Sequence, residues 1–138
     1  MNFDPAQRAV LARLADVLIP AGDGMPSASA GGVAEEGLDQ VLAAVPSLGA
    51  SLADVLARAK GREPAEVVAS LARTDPAAYG VLTEVVTAAY FMNPEVRTAV
   101  GYTGQGPSPI DPRVDYMEDG LLEPVIKRGP IYRPTPKA

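Results

Sequence analysis

Apolar positions through the first hundred residues recur at helical spacing, and Pro, Gly and Asp divide them into separate helices. Asp4-Pro5-Ala6-Gln7 reads as a helix start, with Asp at N-cap, Pro at N1 and Gln at N3. Val10, Leu11, Leu14, Val17 and Leu18 then share one face, and Pro20 stops the helix. Residues 20 to 32 are rich in Gly, Pro, Ser and Ala. They predict a long loop against the usual helix-to-helix connection of about two to eight residues. A second helix is predicted from Val33 to Val45, with Val33, Leu38, Val41, Leu42 and Val45 inward. A third spans Leu48 to Lys60, with Leu48, Leu52, Val55, Leu56 and Ala59 on one side and Gly61 as its stop. Pro64 opens a fourth helix with Val67, Val68 and Leu71 inward, and Asp75-Pro76 opens a fifth. From Tyr79 to Met92 the fifth is apolar almost all round, so it is either central to the fold or covered by a partner. Asn93-Pro94 starts one more short helix that ends near Val100.

The pattern changes at Gly101. Seven of the fourteen prolines fall in residues 101 to 138, which predicts extended and turn conformations apart from a helical turn around Met117 to Leu122. This segment still carries Ile110, Val114, Tyr116, Leu121, Leu122, Val125, Ile126, Ile131 and Tyr132. Disordered tails are poor in such residues, so the arm is expected to lie on something. The expected fold is all-α: a small bundle of five to six short helices over residues 1–100, followed by a long extended Pro-rich C-terminal arm over 101–138. An already extended segment loses little entropy on docking, which favours wrapping a partner.

The formal net charge of −5 opposes the phosphate neutralisation that nucleic-acid binding needs. No apolar run approaches the roughly 20 residues of a membrane span, so no membrane insertion is expected. The N-terminus enters an amphipathic helix without a basic n-region or twin-arginine pair, which predicts no signal peptide and a cytoplasmic protein.

There is no Cys and no His in the 138 residues. That removes disulfides, thiol chemistry and Ser-His-Asp or Cys-His catalysis, and takes away the commonest transition-metal ligands. Glu35 and Asp39, four apart on one face of the expected second helix, are the best remaining acid/base pair. First-turn acids favoured by the helix dipole are the simpler reading. Asp23-Gly24 offers one carboxylate, too few for a calcium loop. No catalytic, cofactor-binding or metal-binding residue is therefore assigned. The predicted interface residues are Tyr90, Phe91, Tyr102, Ile110, Tyr116, Ile131 and Tyr132, with Tyr102 and Tyr132 as anchors because Tyr supplies contact area at low entropy cost.

Three segments carry a resemblance. Leu14-Ala15-Asp16-Val17-Leu18-Ile19-Pro20-Ala21 with Asp23, and then Ala28-Ser29-Ala30-Gly31-Gly32-Val33, resemble the opening of the gluconate 2-dehydrogenase subunit 3 family. Tyr90-Phe91-Met92-Asn93-Pro94-Glu95-Val96-Arg97 followed by Gly101-Tyr102-Thr103-Gly104 resembles its later signature, with Thr103 in place of the usual Pro. The resemblance implies a non-catalytic small subunit in a hetero-oligomer with a large flavoprotein oxidoreductase of the glucose-methanol-choline type. The partner would hold FAD and act on sugars, glycosides or related alcohols. Many relatives open with a twin-arginine signal, and this chain departs from that. The alternatives from the residues alone are a stand-alone homo-oligomer whose arm swaps onto a neighbour, or a small carboxylate-based enzyme.

Overall fold

The computed structural model describes residues 2–102, 104–106 and 120–131. The fold is all-α, with no strand among the described residues. The chain divides into two compact units, Met1–Gly104 and Gln105–Ala138.

In the first unit, α1 (Pro5–Leu18) begins as the sequence predicts. The Gln7 backbone N–H donates to Asp4 Oδ1 at 2.8 Å, and the Asp4 N–H donates to Gln7 Oε1 at 3.0 Å, a reciprocal capping box. The helix ends two residues before Pro20, and a reversal follows. Gly22 and Met25 exchange backbone hydrogen bonds across Asp23-Gly24. Both central residues have positive φ, 50° and 80°, the pattern of a type I′ turn, for which Asp-Gly is a preferred pair. Turn geometry is thus what Asp23 and Gly24 supply.

The predicted second helix is broken. Val33–Gly37 forms a π turn, and α2 (Leu38–Ala44) follows it. Glu35 has φ −107° and ψ −117°, outside helical values, so the chain kinks there. The kink lets Gly37 approach α5 closely: a Cβ at Gly37 would lie 3.0 Å from the Ala89 Cβ and 3.1 Å from the Ala89 carbonyl oxygen. Hydrophobic spacing placed Val33, Leu38 and Val41 inward correctly, but Val45 is 40% exposed and the change of axis was not reported.

Helices α3 (Leu48–Ala59), α4 (Pro64–Thr74), α5 (Pro76–Met92) and α6 (Pro94–Ala99) sit where the periodicity places them. Asp75 caps α5, accepting from the Ala78 N–H at 3.1 Å and from Arg58 Nη1 at 2.8 Å. Of the two readings of the apolar fifth helix, the fold supplies the first: α5 packs against α1, the π turn, α2, α3, α4 and α6. Leu82, Val85, Val86 and Ala89 are fully enclosed, facing Leu11, Leu14, Leu38 and Leu52 in one core. No described helix is long and apolar enough to cross a membrane.

In the second unit the described helix is α7 (Glu123–Arg128), later than the turn expected around Met117 to Leu122. Pro124 lies in its first turn, where a missing N–H costs nothing, and Glu123 and Lys127 pair at 2.8 Å one turn apart. Residues 117–119 lie outside the described residues.

Candidate partner-binding surface

The site is built from the long loop upward. Loop residues 26–33 are tied to α1 on one side and to the α5–α6 corner on the other. From α1, Asp16 accepts twice from Ser29: the backbone N–H reaches Oδ1 and the hydroxyl reaches Oδ2, both at 2.7 Å. The Ala28 N–H donates to the Ile19 carbonyl at 3.0 Å, and Val33 N–H to the Ala28 carbonyl at 3.1 Å. From the other side, the Tyr90 hydroxyl donates to the Pro26 carbonyl at 2.7 Å. Asn93 Nδ2 donates to the Gly31 carbonyl at 2.9 Å. A Cβ at Gly31 would meet the Tyr90 ring at 3.1 Å, so ring and loop backbone are in direct contact.

Burial by itself would raise the Asp16 pKa. The hydrogen bonds from Ser29 and Ser27 outweigh it, and the carboxyl is held below the usual aspartate value. Asp16 therefore stays ionised at neutral pH as an acceptor that fixes the loop.

The outer face of the corner is apolar. Phe91, Met92, Val100 and Tyr102 are 46%, 38%, 50% and 49% exposed. Phe91 stands edge-on to Tyr90, with ring centroids 5.4 Å apart. Tyr102 is placed by the stop of α6. Its N–H donates to the Arg97 carbonyl at 2.8 Å, and the Gly101 N–H donates to the Thr98 carbonyl at 3.0 Å. These are the two bonds of a Schellman motif, and Gly101 supplies the left-handed residue at φ 76°.

Beside this face lies an open cleft of about 740 Å³ between the π turn and the α5–α6 corner, lined by Glu35, Glu36, Met92, Asn93, Glu95 and Arg97 among others. The expected Glu35–Asp39 pair does not form on one helical face, because the kink at Glu35 separates it from α2. Asp39 is instead bound by Arg8 of α1. Arg8 also donates through Nη1 to the Ala34 and Glu35 carbonyls, at 2.8 and 3.0 Å. No group of three or more carboxylates suited to a metal ion occurs among the described residues.

The predicted interface residues are distributed unevenly. Phe91 and Tyr102 lie on the exposed corner. Tyr90 is 2% exposed, with its hydroxyl committed to Pro26, so the expected interface residue is corrected to a core residue packed against Phe91. Ile131 is 73% exposed in the second unit. Ile110, Tyr116 and Tyr132 lie outside the described residues. Sequence reasoning missed Arg8 and Asp16. Asp16 stood inside a quoted segment without a role, and Arg8 had little local signal because, apart from the Phe3 carbonyl, its acceptors lie 26 to 31 positions away.

Fold and surface define an all-α unit in which a bonded loop fixes an exposed aromatic corner. No family model, curated protein or solved structure matches the chain.

Proposed function

We propose that this chain is a non-catalytic small subunit that binds and stabilises a large FAD-dependent oxidoreductase of the glucose-methanol-choline type, acting on sugars, glycosides or related alcohols. The chemistry and the flavin belong to the partner, and the pair forms a hetero-oligomer. One observation carries the reading. The three sequence segments behind the resemblance converge in space through Asp16–Ser29 and Asn93–Gly31. Their joint product is an apolar corner at Phe91, Met92, Val100 and Tyr102, large side chains that a free surface has little reason to display together.

The test is capture by the tagged full-length chain from its native host, followed by an absorbance spectrum and single-turnover reduction by candidate sugars. A one-to-one complex with flavin bands that sugar bleaches is the expected result. Tyr102→Ala should weaken that complex about tenfold, as for an aromatic interface anchor. Recovery of the chain alone, colourless, would overturn the proposal.

A further inference from the structure

The core accepts residues 33–44 in two forms. On a continuous α-helix, Val33, Ala34, Gly37, Leu38 and Val41 fall within one arc of about 140°. In the structure Val33, Ala34, Leu38 and Val41 are buried with the kink present. Burial therefore does not choose between a straight segment and a kinked one. The kink is also local. Glu35 is the residue of Val33–Gly37 with non-helical angles, while Gly37 and Leu38 both sit at φ −58° and ψ −45°. Rotation about the backbone of one residue separates the two forms, as at a hinge.

Arg8 supplies the choice. Its Nη1 donates to the Ala34 and Glu35 carbonyls at 2.8 and 3.0 Å, its Nε to the Phe3 carbonyl at 3.3 Å, and its Nη2 to the Asp39 carboxylate. In a continuous helix the Ala34 and Glu35 carbonyls accept instead from the N–H groups four residues on, those of Leu38 and Asp39. Here the Leu38 N–H goes to the Glu35 carbonyl, and the Gly37 N–H to the Gly32 carbonyl at 3.2 Å. The first bond is one residue short of the α pattern and the second one residue beyond it. The guanidinium thus holds, from α1, the two carbonyls that straightening needs. A planar fork of donors suits acceptors spread over several positions.

We infer that Arg8 is a latch on a two-state segment: bonded, it holds residues 33–44 kinked at Glu35, and released, it lets them close into one α-helix. The consequence falls on the cleft. Glu35, Glu36 and Gln40 of this segment line it opposite Asn93, Glu95 and Arg97 of the α5–α6 corner. Turning the chain at Glu35 re-aims the two glutamates, so the latch sets where carboxylates stand in that opening. Arg8 acts through the backbone it holds and is a positioning residue. Nothing in this device depends on the partner proposed above.

The test is backbone NMR of the full-length chain carrying Arg8→Met, which keeps an unbranched stem and removes every donor. The Cα and carbonyl resonances of Glu35 should move to α-helical values, and the Leu38 amide should exchange several-fold more slowly as it takes up its α-pattern acceptor. Resonances of α3 and α4 should stay in place, which separates release of the latch from general loosening of the unit. Asp39→Ala removes one contact of the guanidinium but not the carbonyl bonds, so Glu35 should keep its non-helical shifts. If Arg8→Met folds and Glu35 is unmoved, the latch is wrong. The kink then belongs to the close approach of Gly37 to α5, where a Cβ would stand 3.0 Å from the Ala89 Cβ. Faster exchange at Leu38 with no helical shift at Glu35 would overturn it equally, since the segment then frays rather than straightens. Should Arg8→Met not fold, Arg8→Lys decides. With one ammonium in place of the fork, a partial move of Glu35 toward helical values supports the latch, and unchanged shifts overturn it.

Discussion

Asp16 shows how one carboxylate can decide the course of a loop. Its two oxygens take the N–H and hydroxyl of Ser29, and the lowered pKa records that preference for the ionised form. A folded-state pKa below the unfolded value, about 3.9 for Asp, contributes stability that is fully present above the unfolded value. It is lost as pH falls through the folded one. Asp75 acts in the same direction, lowered first by the hydrogen bond from Arg58 and then by the Ala78 N–H. Urea unfolding followed from pH 7 downward should therefore show stability falling below about pH 4. Asp16→Ala should cost about 1–3 kcal/mol at pH 7, the range for hydrogen bonds to a charged group, and should flatten that acid limb. A variant as stable as the parent at pH 7 would mean that the loop is held by its backbone bonds alone.

At the scale of elements, the joint between α1 and the π turn is the informative one. Arg8 reaches the carbonyls of Phe3, Ala34 and Glu35 and the carboxylate of Asp39. The Arg8 side chain is 16% exposed and Asp39 62%, so the ion pair itself is screened by water. The carbonyls of a kinked turn, by contrast, lose their partner if the guanidinium goes. Arg8→Lys, which keeps the charge but not the fork of donors, should destabilise the unit by about 1–3 kcal/mol. Asp39→Ala should cost less than about 1 kcal/mol. Equal losses in the two variants, measured by denaturant unfolding, would shift the emphasis from the carbonyl bonds to the ion pair. Three helix starts were legible in the sequence because Pro and a capping side chain mark them: Asp4-Pro5, Asp75-Pro76 and Asn93-Pro94. The kink at Glu35 was not. Val33 and Leu38 point inward in either geometry, so apolar spacing could not report it.

For the whole molecule, α5 is the organising element of the helical unit. Leu82, at 0% exposure, faces a core drawn from several helices. Leu82→Ala should cost about 2–5 kcal/mol. Ending the chain after Gly104, the last residue of the first unit, should remove affinity for the proposed flavoprotein partner. Retained affinity in the truncated chain would place the interface on the Phe91–Tyr102 corner alone. The sequence by itself determined the all-α class, most helix starts and most inward positions, Val17 and Val45 excepted, because capping and amphipathic spacing are local and act within a few residues. It also excluded thiol and histidine chemistry by composition. Only the tertiary structure decided that Tyr90 is a core residue, that Asp16 and Arg8 are structural ties, and that Glu35 and Asp39 do not share one helical face. The ties of Asp16, Arg8 and Tyr90 reach partners 13 to 64 residues away, brought into hydrogen-bonding range only when α1, the loop and α5 pack together.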